Sequence, residues 1–295
     1  MSKYLTGSDL YQWKPISTFE VAKEASTDVN MEFIRGFYRG KSSFADFINE
    51  KNLNNIHVKT KLEDAILDNL KAGKHIVLTG NAGDGKTHLI RILSKKLKSV
   101  KSNVVVELDA STLSYEQIYS NWKSADVNGE QYVIAINAAV LYGLHNYAKD
   151  KCFEPISSAF NLMCNSIVYK EHHKDSEESS VVLYDLSKRN ALSQGILGEI
   201  ISKLTDSKHY AECESCPLAD ACDVTHNRKL LRSSLFQERL QYVLDRVSLT
   251  GYHATLRELQ SFVSYLIFGD RSCKDLSKTS GSPAKFRVRL SKDFA

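Results

Sequence analysis

Residues 80–87 read Gly80-Asn81-Ala82-Gly83-Asp84-Gly85-Lys86-Thr87, which fits G-x-x-x-x-G-K-[ST] without a mismatch. Each residue type has a task at that spacing. Glycines adopt backbone angles that turn successive N–H groups inward, where they cradle phosphate oxygens. The helix expected after the loop, with His88 in its first turn, adds the positive end of its dipole. Lys86 would reach the β- and γ-phosphates, and the Thr87 hydroxyl would ligate Mg²⁺. The bland alternative is a glycine-rich turn with no ligand. An apolar run before the loop and a helical pattern after it favour the phosphate reading.

Binding a nucleotide does not fix the reaction. Hydrolysis also needs an acid on the Mg²⁺ side and a group that orients water. Asp109 and, second, Asp185 end apolar runs and are the candidates for the acid. Neither is followed by Glu, so no water-activating base is evident, although Glu107 would share a strand face with Asp109. Asn137 ends another apolar run and could touch a γ-phosphate or its attacking water. Each has a plainer reading: Asp109 as a turn residue, Asn137 as a helix cap. Arg257 opens a helix and could reach back to the phosphates, or lie on a solvated face. Arg189, at a strand exit, could project to a neighbouring subunit. An Asn-Lys-x-Asp element for guanine is absent, so adenine nucleotide is expected.

Cysteines make a second constellation. Cys213, Cys216 and Cys222 have C-x2-C-x5-C spacing, the chelating pattern of structural zinc sites. Cys273 is the first choice for a fourth ligand, with His226 and His209 as alternatives. The thiols would clip a helical lobe together through Zn²⁺, or stay reduced in a loop; an iron–sulfur cluster is the lesser metal reading.

These residues need a scaffold, and the pattern supplies one. Thr60-Lys-Leu-Glu63 is a capping box before a helix over 60–72, and Gly73 ends it. Strands are expected at 75–79, 103–109, 132–137 and 181–185. Helices fall between them at about 86–97, from Ser114 to about Ala125, at 138–149 and at 156–170. Such alternation implies a parallel α/β sheet. Beyond residue 190 only helical patterns follow, at about 192–204, 226–247 and 255–268, the last capped by Thr255. The expected fold class is thus α/β: a P-loop NTPase with a parallel sheet flanked by helices, plus a mostly helical lid carrying the cysteine knuckle. The divisions are 1–59, an N-terminal extension; 60–190, nucleotide-binding; 191–273, the lid; and 274–295, a basic tail.

With 42% apolar and 25% charged residues, and no apolar run of membrane-spanning length, the chain reads as globular and non-membrane. Its start has no signal-peptide core, so the cytoplasm is expected. The tail's six basic and two acidic residues account for the whole net charge of +4. Any DNA contact would come from that tail, a local groove or partner subunits, not from a global field.

The loop Gly80–His88, Leu108-Asp109-Ala110-Ser111, the strand ending at Asn137 and the Arg257 helix resemble the AAA+-type ATPases. The Gly-Asp-Gly-Lys variant, Asp185-Leu-Ser-Lys-Arg-Asn190 and the knuckle further resemble bacterial defence ATPases of DNA phosphorothioation-dependent restriction, over residues 60–273. The resemblance implies an ATP- and Mg²⁺-dependent subunit of a DNA restriction or phage-defence complex, with defence-complex partners and a possible homo-oligomer. A weakly hydrolysing switch or scaffold, and third a P-loop kinase, are the alternatives.

Overall fold

The apolar run His75–Thr79 forms strand β1 and is buried along its whole length, so it lies inside a sheet rather than at its edge. The structure, a computed structural model, describes residues 30–38, 50–99, 103–168, 179–269 and 290. Its strands are β1, β2 (Val104–Glu107), β3 (Gln131–Ala135) and β4 (Val181–Asp185). They form one four-stranded sheet in the order β2-β3-β1-β4, all parallel. Leu78 is in register with Ala135 on one side and Tyr184 on the other.

Side chains alternate between the two faces of the sheet. Ile76, Leu78, Val133 and Ala135 pack on α3 (Lys61–Lys71) and α4 (Lys86–Ser99). Val77, Tyr132 and Ile134 face α5 (Tyr115–Val127), α6 (Ala138–Ala148) and α7 (Glu154–Val168). The chain leaves β1 over one face to reach β2. It returns through β3 and then crosses to β4 over the other face. The connections after β1 and β3 therefore run in opposite directions, which opens a crevice between the carboxyl ends of these neighbours.

A third apolar cluster lies away from the sheet. It joins α1 (Met31–Tyr38) and α2 (Glu50–Ile56) to α8 (Gln194–Leu204), α10 (Asp223–Leu231), α11 (Ser234–Leu249) and α12 (Leu256–Phe268). A short helix, α9 (Ala211–Glu214), lies between α8 and α10. The described N-terminal helices thus share their core with the helical lobe. Ile34 and Phe37 are buried there, and the Ser264 hydroxyl of α12 donates to the Ile34 carbonyl at 2.8 Å. Arg35, on α1, pairs with Glu32.

Capping boxes form at Thr60, Ser114 and Thr255, as their spacing predicts. Three expectations need correction. The strand over 132–137 is Gln131–Ala135, because Asn137 turns out of the sheet to cap α6. The helix over 226–247 is two helices, broken at Arg232-Ser233, where Ser233 is extended and stands at the N-cap position of α11 without a side-chain capping bond. Apolar spacing runs across the break because both helices feed one core, which hides it from periodicity. Strand 103–109 stops at Glu107, because Leu108 turns out of the sheet at 38% exposure and Asp109 starts a 3₁₀ turn. The polar stretch after α7, Arg39, Cys273 and the tail apart from Leu290 lie outside the described residues. Among the described residues no helix is long and apolar enough to cross a membrane.

Candidate nucleotide site

The loop after β1 crosses the carboxyl edge of the sheet and enters α4 at Lys86. Gly80, Gly83 and Gly85 all have positive φ, at +141°, +94° and +90°. A Cβ at Gly80 would approach the Asp84 carboxylate to 2.8 Å, and one at Gly83 the Thr255 hydroxyl to 3.0 Å. Glycine is therefore required twice over, by conformation and by space. The result is a concave backbone turn of the kind that holds anions.

Lys86 spans the turn and donates to the carbonyls of Gly80 and Asn81, both at 2.8 Å. Burial pulls its ammonium below the ordinary lysine range. The carboxylates of Asp84, Asp109 and Asp185 push it back up, and Arg257 lowers it. Residues scattered from 84 to 257 in sequence thus meet in one field around Lys86.

The two candidate acids differ in position. Asp109 and Asn137 line a cavity of about 370 Å³ together with Lys86, Thr87, Arg189 and Arg257; Asp185 is not on its wall. The Thr87 hydroxyl reaches the carbonyl of Leu108, next to Asp109, at 3.5 Å. A hydroxyl and a carboxylate on one edge form an oxygen donor set of the type hard cations take. Asp109 and Asn137 are also caps. Asp109 Oδ1 accepts from the Ser111 amide at 3.0 Å and the Ser111 hydroxyl at 2.7 Å, and Asn137 Oδ1 accepts from the Val140 amide at 2.8 Å. Capping fixes their rotamers at the cavity wall, so the plain and functional readings are compatible. Asp185 caps likewise, accepting from Ser187 at 3.0 and 2.6 Å. Glu107 acts elsewhere: burial and then its charge raise the pKa of the Tyr132 phenol.

The arginines both turn inward. Arg189 donates to the Asp84 carbonyl at 2.5 Å, so it braces the loop of its own chain rather than reaching outward. The Arg257 amide donates to the Gly83 carbonyl at 3.3 Å, which seats the start of α12 on the loop.

Sequence reasoning missed the other half of the cavity. Phe37, Ile56, Val58 and Leu256 give it an apolar wall, with His57, Thr60 and Gln260 among them. A polar chain starts from that wall, where His57, Thr60 and His88 all line the cavity. His57 lies between Glu63 Oε1, 2.9 Å from its Nε2, and His88 Nε2, 3.0 Å from its Nδ1. Glu63 also accepts from the Thr60 amide at 3.1 Å and from Lys96 at 2.8 Å. Burial opposes ionisation of Glu63, but Lys96, the Thr60 amide and His57 together hold its pKa below the usual range. An ionised Glu63 only accepts, so His57 donates through Nε2 and accepts from His88. Burial pushes the His88 pKa down to about 3, with His57 and Arg91 adding to it; burial also lowers that of His57, against the pull of Glu63. The signal for this wall was the Phe/Tyr-rich N-terminal segment, but its target lies in tertiary structure.

Cys213, Cys216 and Cys222 are free, half-buried thiols around α9. Cys213 lies 3.8 Å from the Met31 sulfur; burial raises its pKa, and charge on Cys222 or Cys216 raises it further. His226 Nε2 meets the Leu290 carbonyl at 2.9 Å, and His209 is buried. Among the described residues no three His, Cys, Asp or Glu side chains converge in a metal-holding group. The first-choice fourth ligand, Cys273, falls outside them.

Comparison of the chain with family models, curated proteins and solved structures yields no match.

Proposed function

We propose that the chain is an ATPase: it binds ATP with Mg²⁺ in the cavity between the sheet edge and the helical lobe, and transfers the γ-phosphoryl to water. The observation that carries this is the glycine turn with Lys86 and Thr87 at the carboxyl edge of a parallel sheet, facing Asp109, Asn137 and Arg257 across one cavity. The turn's N–H groups and Lys86 would hold the β- and γ-phosphates. Thr87 and Asp109 would hold Mg²⁺, which offsets the charge that develops on the phosphoryl oxygens. The amide group of Asn137 is suited to orient the attacking water, and Arg257 to meet the γ-phosphate from the lobe side. The apolar wall of Phe37, Ile56, Val58 and Leu256 suits a purine base.

The sequence resemblance extends this to a subunit of a bacterial DNA restriction or phage-defence complex, with DNA reached directly or through partners. A structural Zn²⁺ is supported by the C-x2-C-x5-C spacing of Cys213, Cys216 and Cys222 alone, since among the described residues these thiols do not converge on a metal position; about one zinc per chain in metal analysis is expected, and metal-free protein overturns it.

Calorimetric titration with ATP and Mg²⁺ tests the core of it. Saturable binding that Lys86→Ala abolishes is expected; an unaltered Lys86→Ala isotherm, or no binding at all, overturns it. A second reading, a slow switch, is favoured by one observation: no carboxylate follows Asp109, and Glu107 is not on the cavity wall. Rapid Lys86-dependent turnover with DNA present would exclude the switch.

A further inference from the structure

The oddest residue in the loop is Asp84. It is 2% exposed and carries a carboxylate inside a turn built for anions. A buried carboxylate is costly unless it is hydrogen-bonded, and this one would repel a triphosphate. Both its oxygens are engaged. Oδ2 accepts from the Asn81 amide at 2.6 Å, closing the mouth of the turn. Oδ1 lies 2.8 Å from Nε2 of His253, in the segment leading into α12 of the helical lobe. Two more contacts tie the same segment to the loop. The Arg257 amide donates to the Gly83 carbonyl, and the Thr255 hydroxyl sits where a Gly83 Cβ would come to 3.0 Å. Arg189, just past β4, also holds the Asp84 carbonyl. The peptide at 83–84 is thus gripped by the lobe and by the exit of β4, and His253 is the side chain that meets the Asp84 carboxylate from the lobe.

We propose that Asp84 and His253 form a latch between the helical lobe and the phosphate loop, which makes His253 a positioning residue for the triphosphate. This rests on the ATP-binding reading. His253 touches no phosphate. It orients the Asp84 carboxylate, which fixes the Asn81 amide and so the shape of the turn. Its imidazole donor also draws the carboxylate's charge away from the cradle. Lobe and loop then move as one, so that opening the lobe loosens the phosphate grip.

The test compares ATP–Mg²⁺ affinity and amide hydrogen exchange in the full chain and its variants. His253→Ala should weaken ATP binding by about tenfold, the scale of a lost hydrogen bond to a charged group. His253→Gln, which keeps a donor at similar reach, should stay within about twofold of the parent. Asp84→Asn combined with His253→Ala should be no weaker than the weaker single variant. Additive losses, an unaffected His253→Ala, or a Gln variant as weak as Ala would overturn the latch. Exchange without nucleotide keeps the two ideas separable. The Asn81 amide should exchange faster in His253→Ala while α12 stays protected. If the parent binds no ATP, the nucleotide reading fails, and the Asn81 amide alone judges the latch: unchanged exchange there refutes it. Should His253→Ala loosen α12 as a whole, the Gln variant decides by the same two readouts.

Discussion

Lys86 shows how much of a site can hang on one ammonium. Its surroundings include three carboxylates, yet only Asp109 lines the cavity that holds the turn. Asp109→Asn should therefore cut ATP turnover by at least 100-fold while Mg²⁺-free ATP binding persists, read by steady-state hydrolysis and titration. Asp185→Asn should leave turnover within a few-fold and cost about 1 kcal/mol of stability through its weakened Ser187 cap, read by thermal unfolding. Legibility at this scale was uneven. The loop motif is contiguous, so its residues could be named outright. Asp109 and Asn137 looked divided between cap and site because spacing cannot show that a capped side chain is also held against a cavity. His57 and His253 carried no signal, since each has its meaning only beside a partner far along the chain.

Elements were legible where their signals are local. Thr60, Ser114 and Thr255 each mark a helix start within four residues, and each box is formed. The break between α10 and α11 was not, because apolar spacing persists through it. Nor was the placement of α1 and α2, since an amphipathic helix states which face it buries but not against what. Two glycines separate local conformation from packing. Gly73 ends α3 at φ +79° with nothing within 4 Å of a Cβ, so Gly73→Ala should cost only about 1 kcal/mol. Gly83→Ala adds a collision with Thr255 to the same backbone strain and should also displace the start of α12. Denaturant melts of both variants, with ATP titration of the second, would check this: binding should be lost in Gly83→Ala and kept in Gly73→Ala.

For the whole molecule, the half-buried pair His57 and His88 sets an acid limit. Their folded pKa values lie below the usual histidine value of 6.5, that of His88 at about 3. The unfolded chain therefore binds more protons in this window, and stability falls as pH drops below about 6.5. Glu63, with its folded pKa below 4.5, adds a further loss as pH falls past that value. Melting temperature should decline from pH 7 to pH 4, and the slope between pH 6.5 and 5 should flatten in His88→Gln. The sheet at this scale followed from alternation of strands and helices. The shared core of the N-terminal helices and the lobe did not, because it joins segments at opposite ends of the described chain.

That shared core has a consequence for synthesis. Ile34 and Ser264, joined by a hydrogen bond, are 230 residues apart. A ribosome releases the apolar face of α1, with Ile34 and Phe37, long before α12 exists to cover it. The loop, β1 and α4 emerge in that interval, but the cavity wall still lacks Leu256, Arg257 and Gln260. A nascent chain would carry an exposed apolar helix and a half-built pocket until α12 has emerged. The cavity wall and the core over α1 would then be completed in one step, by the same helix.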